Sequence, residues 1–299
     1  MPILNWLHLS DWHQDKPNFD RTIIRDALIT DIKERADRVS TDLKRIDFVF
    51  FTGDLAYRGL EEQYKVAGTE LLDPVLAAVD LDKRRLFVIP GNHDIDEAAF
   101  EFLPQALTVP FADETTAKRW LEDEKGLKRL YEPFEAYQRW QATYQPRGFG
   151  VEGGACMVEV EGLKVGILGC NSALMCRRHK EAGKVNDFGF LTSGEKQIYD
   201  PLNEIQAADL RIALIHHPFE WLQEFDRTKV QSRLERNNHF ILRGHEHSNR
   251  VEVINGTGGS GVIIRAGSCY AGRVPERPIY ANAYNFVRYN METGKGTVY

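Results

Sequence analysis

The residues that can do chemistry fall in five short segments of this 299-residue chain. They are Asp11-Trp12-His13, Gly53-Asp54, Gly91-Asn92-His93-Asp94, His216-His217-Pro218 and Gly244-His245-Glu246-His247. Six of the nine histidines lie in them. Carboxylate, amide and imidazole donors without a thiolate suit a hard-to-borderline divalent metal, and mixed O/N donors fit Mn, Fe or Zn better than Ca. One tetrahedral ion cannot use so many donors. Two ions about 3.5–4 Å apart, bridged by one carboxylate, would use them all. Asp54 is the natural bridge, because Gly53 lets the backbone turn sharply before it. Each segment alone is weak: Asp-x-His is common, Gly-Asp is usually a turn, and His216-His217-Pro218 fits a strand end. Their occurrence together, each closing an apolar run, argues for one site.

The elements that must position them read as an α/β fold. Ile3–Leu9, Phe48–Phe51, Leu86–Ile89, Val165–Leu168, Ile212–Ile215 and Phe240–Leu242 are short apolar runs closed by polar residues, the pattern of buried strands. Asp20–Arg38 and Glu61–Val79 carry apolar residues at helical spacing, with Pro74 expected to kink the second. Strand C-terminal ends converge on one edge of such sheets, where sites form. Cys156–Glu161 with Lys164–Leu168 reads as a hairpin, as does Asn285–Asn290 with Thr297–Tyr299. The expected architecture is layered αββα: two packed mixed sheets flanked by helices, in a single domain over 1–299. Residues 97–145 are charged, aromatic and helix-prone. They read as a helical insertion, either packing on the core or capping the site. The chain stops inside a predicted strand, which fits a native end or a piece of a longer protein with a further C-terminal domain.

Composition narrows the class. With 42% hydrophobic and 27% charged residues the chain is globular rather than fibrous or disordered. A net charge of −6 argues against coating nucleic acid by bulk charge, although the half after residue 163 is mildly basic. No apolar run is long enough to span a membrane, and the N-terminus lacks a secretory pattern. Four cysteines without a CxxC pair read as reduced thiols, so a cytoplasmic location is expected.

The five segments, in this order, resemble the calcineurin-like metallophosphoesterase superfamily, whose pattern is Asp-x-His, Gly-Asp, Gly-Asn-His-Asp/Glu, a single His, and Gly-His-x-His. Gly-Asn-His-Asp and His-His-Pro look closest to bacterial cyclic-nucleotide-type phosphodiesterases. The resemblance implies the αββα metallophosphoesterase fold. It implies one metal on Asp11, His13, Asp54 and His247, and a second on Asp54, Asn92, His216 and His245. His93 would reach the leaving-group oxygen with Asp94 orienting it, and His216 rather than His217 would be the ligand. The implied chemistry is in-line attack by metal-activated hydroxide, with a His general acid and no covalent intermediate.

Substrate contacts are sought near the strand ends. Arg177 and Arg178 are candidate phosphate grips, against the competing reading of a solvated basic loop. Asn171, Ser172 and Arg58 are further candidates, while Trp12 is expected to pack and Arg243 to face away. The favoured function is hydrolysis of a small phosphodiester, such as a cyclic nucleotide. A nuclease, a protein phosphatase and a non-catalytic interaction module with a vestigial site are the alternatives. Nucleic acid is the less favoured partner, and no membrane partner is expected.

Overall fold

The computed structural model describes residues 2–145, 148–256, 259–272 and 282–299. Its first sheet contains β1 (Ile3–Leu9), β2 (Phe48–Thr52) and β3 (Leu86–Ile89) in parallel. The second is built on β4 (Gly154–Val160) and β5 (Leu163–Cys170). The small hairpin β6 (Lys180–Glu181) and β7 (Lys184–Val185) stands apart. Then come β8 (Leu210–Ile215), β9 (Phe240–Arg243), β10 (Arg250–Gly256) and β11 (Gly259–Arg265). The chain returns to the first sheet with β12 (Asn285–Asn290) and β13 (Lys295–Val298). The strand orders are β13-β12-β1-β2-β3 and β10-β11-β9-β8-β5-β4. Both are mixed, as expected, and both expected hairpins form, β4–β5 and β12–β13.

Strand residues alternate between two cores. Leu4, Trp6, Phe48, Phe50, Phe87 and Ile89 face Ile167, Ile212, Leu214, Phe240 and Leu242 between the sheets. Leu7, Leu9, Val49, Phe51 and Val88 face outward into helices, as do Leu168, Ala213, Ile215 and Ile241 on the other sheet. A strand buried on both faces reads as a continuous apolar run, which is why run length and the closing polar residues, rather than alternation, locate it. The covering helices are α1 (Phe19–Lys33), α2 (Arg35–Arg38), α3 (Glu61–Ala67) and α4 (Asp73–Ala78) on the first sheet. Pro74 lies in the first turn of α4, and the turn before it, Gly68–Leu72, widens so that Asp73 N–H bonds to Gly68 O. The wider turn accommodates the proline ring, which clashes with a regular helical carbonyl four residues back.

Between β3 and β4 run short 3-10 turns and the helices α5 (Glu114–Leu121), α6 (Glu124–Tyr131) and α7 (Glu135–Tyr144). α7 is part of the main core: Trp140 stacks on Tyr64 at 5.5 Å, and Tyr137 O–H donates to Val88 O at 3.1 Å. α5 and α6 build a satellite core of Leu103, Leu107, Phe111, Ala117, Leu130 and Met175. The second sheet is covered by α8 (Lys196–Glu204) and α9 (Glu224–Asn237). Among the described residues no helix is long and apolar enough to cross a membrane.

Candidate active site

The loops leaving β1 and β2 are laced together. Asp11 N–H donates to Gly53 O at 3.0 Å, and Trp12 and His13 donate to Asp54 O at 3.0 and 2.9 Å. The segment after β11 closes over them, with Cys269 N–H on Ser10 O at 2.9 Å and Ser268 Oγ donating to Asp11 O at 2.9 Å. This lacing holds side chains in an unusual backbone. Asp11, His13, Asp54, His245 and His247 all have positive φ, between 52° and 71°. Each such residue costs about 1–2 kcal/mol, and strain of this kind collects where function needs a fixed geometry. The glycines beside them are required sterically. A Cβ on Gly53 would sit 2.5 Å from His216 Nδ1, and one on Gly91 would sit 2.3 Å from Asp54 Oδ1.

The expected donors do converge. His247 Nε2 lies 3.1 Å from Asp11 Oδ1 and 3.4 Å from His13 Nε2. His216 Nε2 lies 3.3 Å from Asp54 Oδ2 and 3.2 Å from Asn92 Oδ1. His245 Nδ1 lies 3.0 Å from the same amide oxygen. Asp54 stands between the two groups: its Oδ2 is also 4.0 Å from His13 Nδ1.

These atoms fit a cation. His216 Nδ1–H donates to Thr52 O at 2.6 Å, so in the neutral ring Nε2 bears a lone pair. That lone pair, the Asp54 carboxylate and the Asn92 carbonyl oxygen are three acceptors facing one point, and only a cation reconciles them. Burial disfavours the His216 imidazolium, but Asp54 and the Thr52 carbonyl outweigh it and push the ring up to about 9. Thus a proton stands where a metal would. Burial also disfavours charge on Asp54, yet His216 and His93 hold it well below the ordinary carboxylate range. Burial lowers His13 to about 4 and His245 to about 3, leaving both rings as neutral donors. His13 Nδ1 is buried with no hydrogen-bond partner, the state of an atom meant for a ligand. Four groups of donors here each lie within 4.8 Å of one another.

His93 lies against this cluster, its ring 4.6 Å from that of His13. Its backbone N–H donates to Asp54 Oδ1 at 2.7 Å and its Nδ1–H to Tyr57 O at 3.0 Å. The Tyr57 ring stacks on it at 5.2 Å. Asp94 is a correction. It does not orient His93 but points the other way, fully buried, and accepts the N–H groups of Asp54 and Gly91 at 2.8 Å and of Ala56 at 2.9 Å. Tyr64 O–H donates to it at 3.0 Å. Burial and the nearby Asp54 push its carboxyl up to about 6. Asp94 therefore ties the Gly-Asp loop to the Gly-Asn-His loop, and Tyr57, which no motif marks, holds His93.

Two further expectations are corrected. Arg178 is buried, donates to Leu107 O and Cys176 O at 2.7 and 2.8 Å, lies over the Phe100 ring, and is not among the residues lining the cavities at the site. Asn171 is buried and braces its own loop, with Nδ2 on Val151 O and Oδ1 accepting Ala173 N–H. Arg177 does reach the site, lining a recess of about 530 Å³ with Tyr57, Arg58 and His93, but it is ion-paired with Glu97. The adjoining cleft over the donors is about 720 Å³. Trp12 packs, donating to Gln14 Oε1. Arg243 faces away, towards Glu246 and Glu252. Arg265 pairs with Glu246 as well, which anchors the Gly-His-Glu-His loop from behind.

A two-sheet sandwich that gathers carboxylate, amide and imidazole donors at its strand ends has the donor set that a divalent-metal site requires. The chain belongs to the calcineurin-like phosphoesterase family, whose model matches residues 4–249. It is similar to the uncharacterized metallophosphoesterase-like protein YydB of Bacillus subtilis (strain 168), at 24% identity over 268 residues, 85% of this chain and 51% of that protein. The chain thus spans about half the length of this curated relative. Among solved structures, sulfate thiohydrolase SoxB of Thermus thermophilus matches with a TM-score of 0.51 at 10% identity, over 99% of this chain and 56% of that one. A hypothetical protein from Thermus thermophilus matches at 14% identity and a TM-score of 0.45, over 99% of each chain.

Proposed function

We propose that the chain is a phosphodiesterase for cyclic nucleotides or similar small diesters. In this reading it would use two divalent ions, Mn, Fe or Zn. Asp11, His13 and His247 would hold one and Asn92, His216 and His245 the other, with Asp54 available to both. When bound, such a pair supplies hydroxide near neutral pH and a Lewis-acid grip on phosphoryl oxygens. His93, fixed through Nδ1, would act as the imidazolium, giving its Nε2 proton to the leaving oxygen and remaining as the neutral ring with Nδ1–H on Tyr57 O. Tyr57 keeps that ring in place, and Asp94 keeps the two loops in register.

The charge of the cleft wall carries the choice of a diester. Arg177 is neutralised by Glu97, and Arg21 donates to Trp12 O and lies on the Tyr270 ring. Among the described residues lining the cleft and recess, Arg58 is the cation with neither a carboxylate partner nor a backbone acceptor for its head. One such cation suits the single charge of a diester better than the near-double charge of a monoester. The test compares bis-p-nitrophenyl phosphate, p-nitrophenyl phosphate, cyclic AMP and single-stranded DNA as substrates of Mn²⁺-loaded protein. Diester turnover well above monoester turnover is expected. Monoester preference, or cleavage of DNA alone, would overturn the assignment.

A further inference from the structure

The second histidine of the His216-His217 pair is absorbed by none of the roles above, yet it is among the most enclosed groups at the site, 1% exposed. Its Nε2 lies 3.2 Å from Asn92 Oδ1 and 3.5 Å from Cys176 Sγ. Its Nδ1 lies 2.8 Å from Ser172 Oγ, and its backbone N–H donates to that same oxygen at 3.1 Å. The hydroxyl proton of Ser172 has no other acceptor within reach among the described residues. An orphaned buried hydroxyl costs about 1–3 kcal/mol, so Ser172 O–H donates to Nδ1. The ring proton then sits on Nε2 and is directed at Asn92 Oδ1.

We propose that His217 is a positioning residue that fixes the Asn92 amide by donating Nε2–H to Oδ1, leaving that oxygen's other lone pair for the second ion. The inference rests on the two-ion reading above. Without this bond, the Asn92 amide can rotate and offer its NH₂ group, which cannot ligate a cation. The relay runs Asn171, Ser172, His217, Asn92. Asn171 shapes the loop after β5, that loop presents the hydroxyl, the hydroxyl sets the tautomer, and the tautomer sets the amide. It also gives the motif-silent Ser172 a defined task. His217 is not a ligand in this arrangement, because the nitrogen facing the metal side carries a proton.

Calorimetric titration of metal-free protein with Mn²⁺ tests the assignment independently of turnover. H217F keeps the ring's bulk without a donor. It should weaken the second ion about 10–100-fold and leave the first nearly unchanged, the range for a group acting through a ligand. H217Q places an amide N–H close to where Nε2–H lies and should recover most of the lost affinity. S172A frees the tautomer and should weaken the second ion several-fold. Wild-type binding of both ions by H217F would overturn the proposal. So would H217Q as weak as H217F, or loss of the second ion altogether, which would make His217 a ligand. Should H217F fail to fold, an unchanged second phase in S172A overturns it instead. Wild-type protein that takes up a single Mn²⁺ would overturn the two-ion reading itself.

Discussion

The two halves of the proposed metal centre are built differently. Asp11, His13 and His247 form an open half. Its His247 side chain is 33% exposed, and His13 and His247 line the cleft, which Asn92 and His245 of the other half also border. Asn92, His216 and His245 form a closed half. There His216 is wholly buried, its far nitrogen is bonded to Thr52 O, and Trp221 abuts His245 at 4.1 Å. All three donors of the open half sit on left-handed backbone, whereas in the closed half His245 shares that conformation and His216 and His245 have other groups packed behind them. Access and rigidity are therefore divided between two neighbouring sites that share one carboxylate.

The shared carboxylate gives the harshest test. D54N should abolish occupancy of both halves and lower turnover by about 1,000-fold or more, since both ions lose a charged donor. Metal analysis showing two ions retained would break the picture of a common bridge. H93A should keep both ions and lose about 10²–10⁴-fold in turnover, more for alkyl esters than for p-nitrophenyl esters. An equal loss on both would remove the proton-donor role. Chelator challenge should strip the metal in two phases, the exposed half at least about 10-fold faster than the half supported from behind. A single phase, followed by metal release in solution, would show the halves to be equivalent.

The smallest effect is the most diagnostic of the backbone difference. In metal-free protein H247G should be more stable than H247A by about 1 kcal/mol, because glycine adopts positive φ without the Cβ penalty. Denaturant unfolding of the pair measures it. Glycine usually ranks below alanine, so the ordinary order at position 247 would deny the strain.

Much of the centre is legible in the sequence because metal donors cannot be replaced by other chemistries and must lie where strands end. Asp11, His13, Asp54, Asn92, His216, His245 and His247 all meet. What is not legible is direction. Asp94 follows His93 in sequence, yet neighbouring side chains leave a tight turn on opposite sides, and Asp94 finds four backbone and side-chain donors beneath the loop. Arg178 follows Arg177, and only the latter lines the recess beside the cleft. The contribution of Tyr57 to holding His93 is partly a main-chain carbonyl, which every residue type carries, so no pattern marks it. The β10–β11 hairpin had a signal, the alternation of Val251 and Val253 with Val262 and Ile264 around a glycine-rich stretch, although no catalytic residue points to it.

The pairing of β1 with β12, Ile3 opposite Asn290 through His8 opposite Asn285, sets a timetable for the newborn chain. Asp11 and His13 leave the ribosome before the other donor segments, but the strand that fixes β1 from its other side is made only after all of them. At about 5–20 residues per second, the wait is on the order of tens of seconds. Through that interval the N-terminal donors lack their final scaffold, whereas β5, β8 and β9 can already assemble around His216. The imidazoles of the enclosed pocket thus have their strands before β12 exists, and the solvent-facing one gains its last support only when β12 arrives.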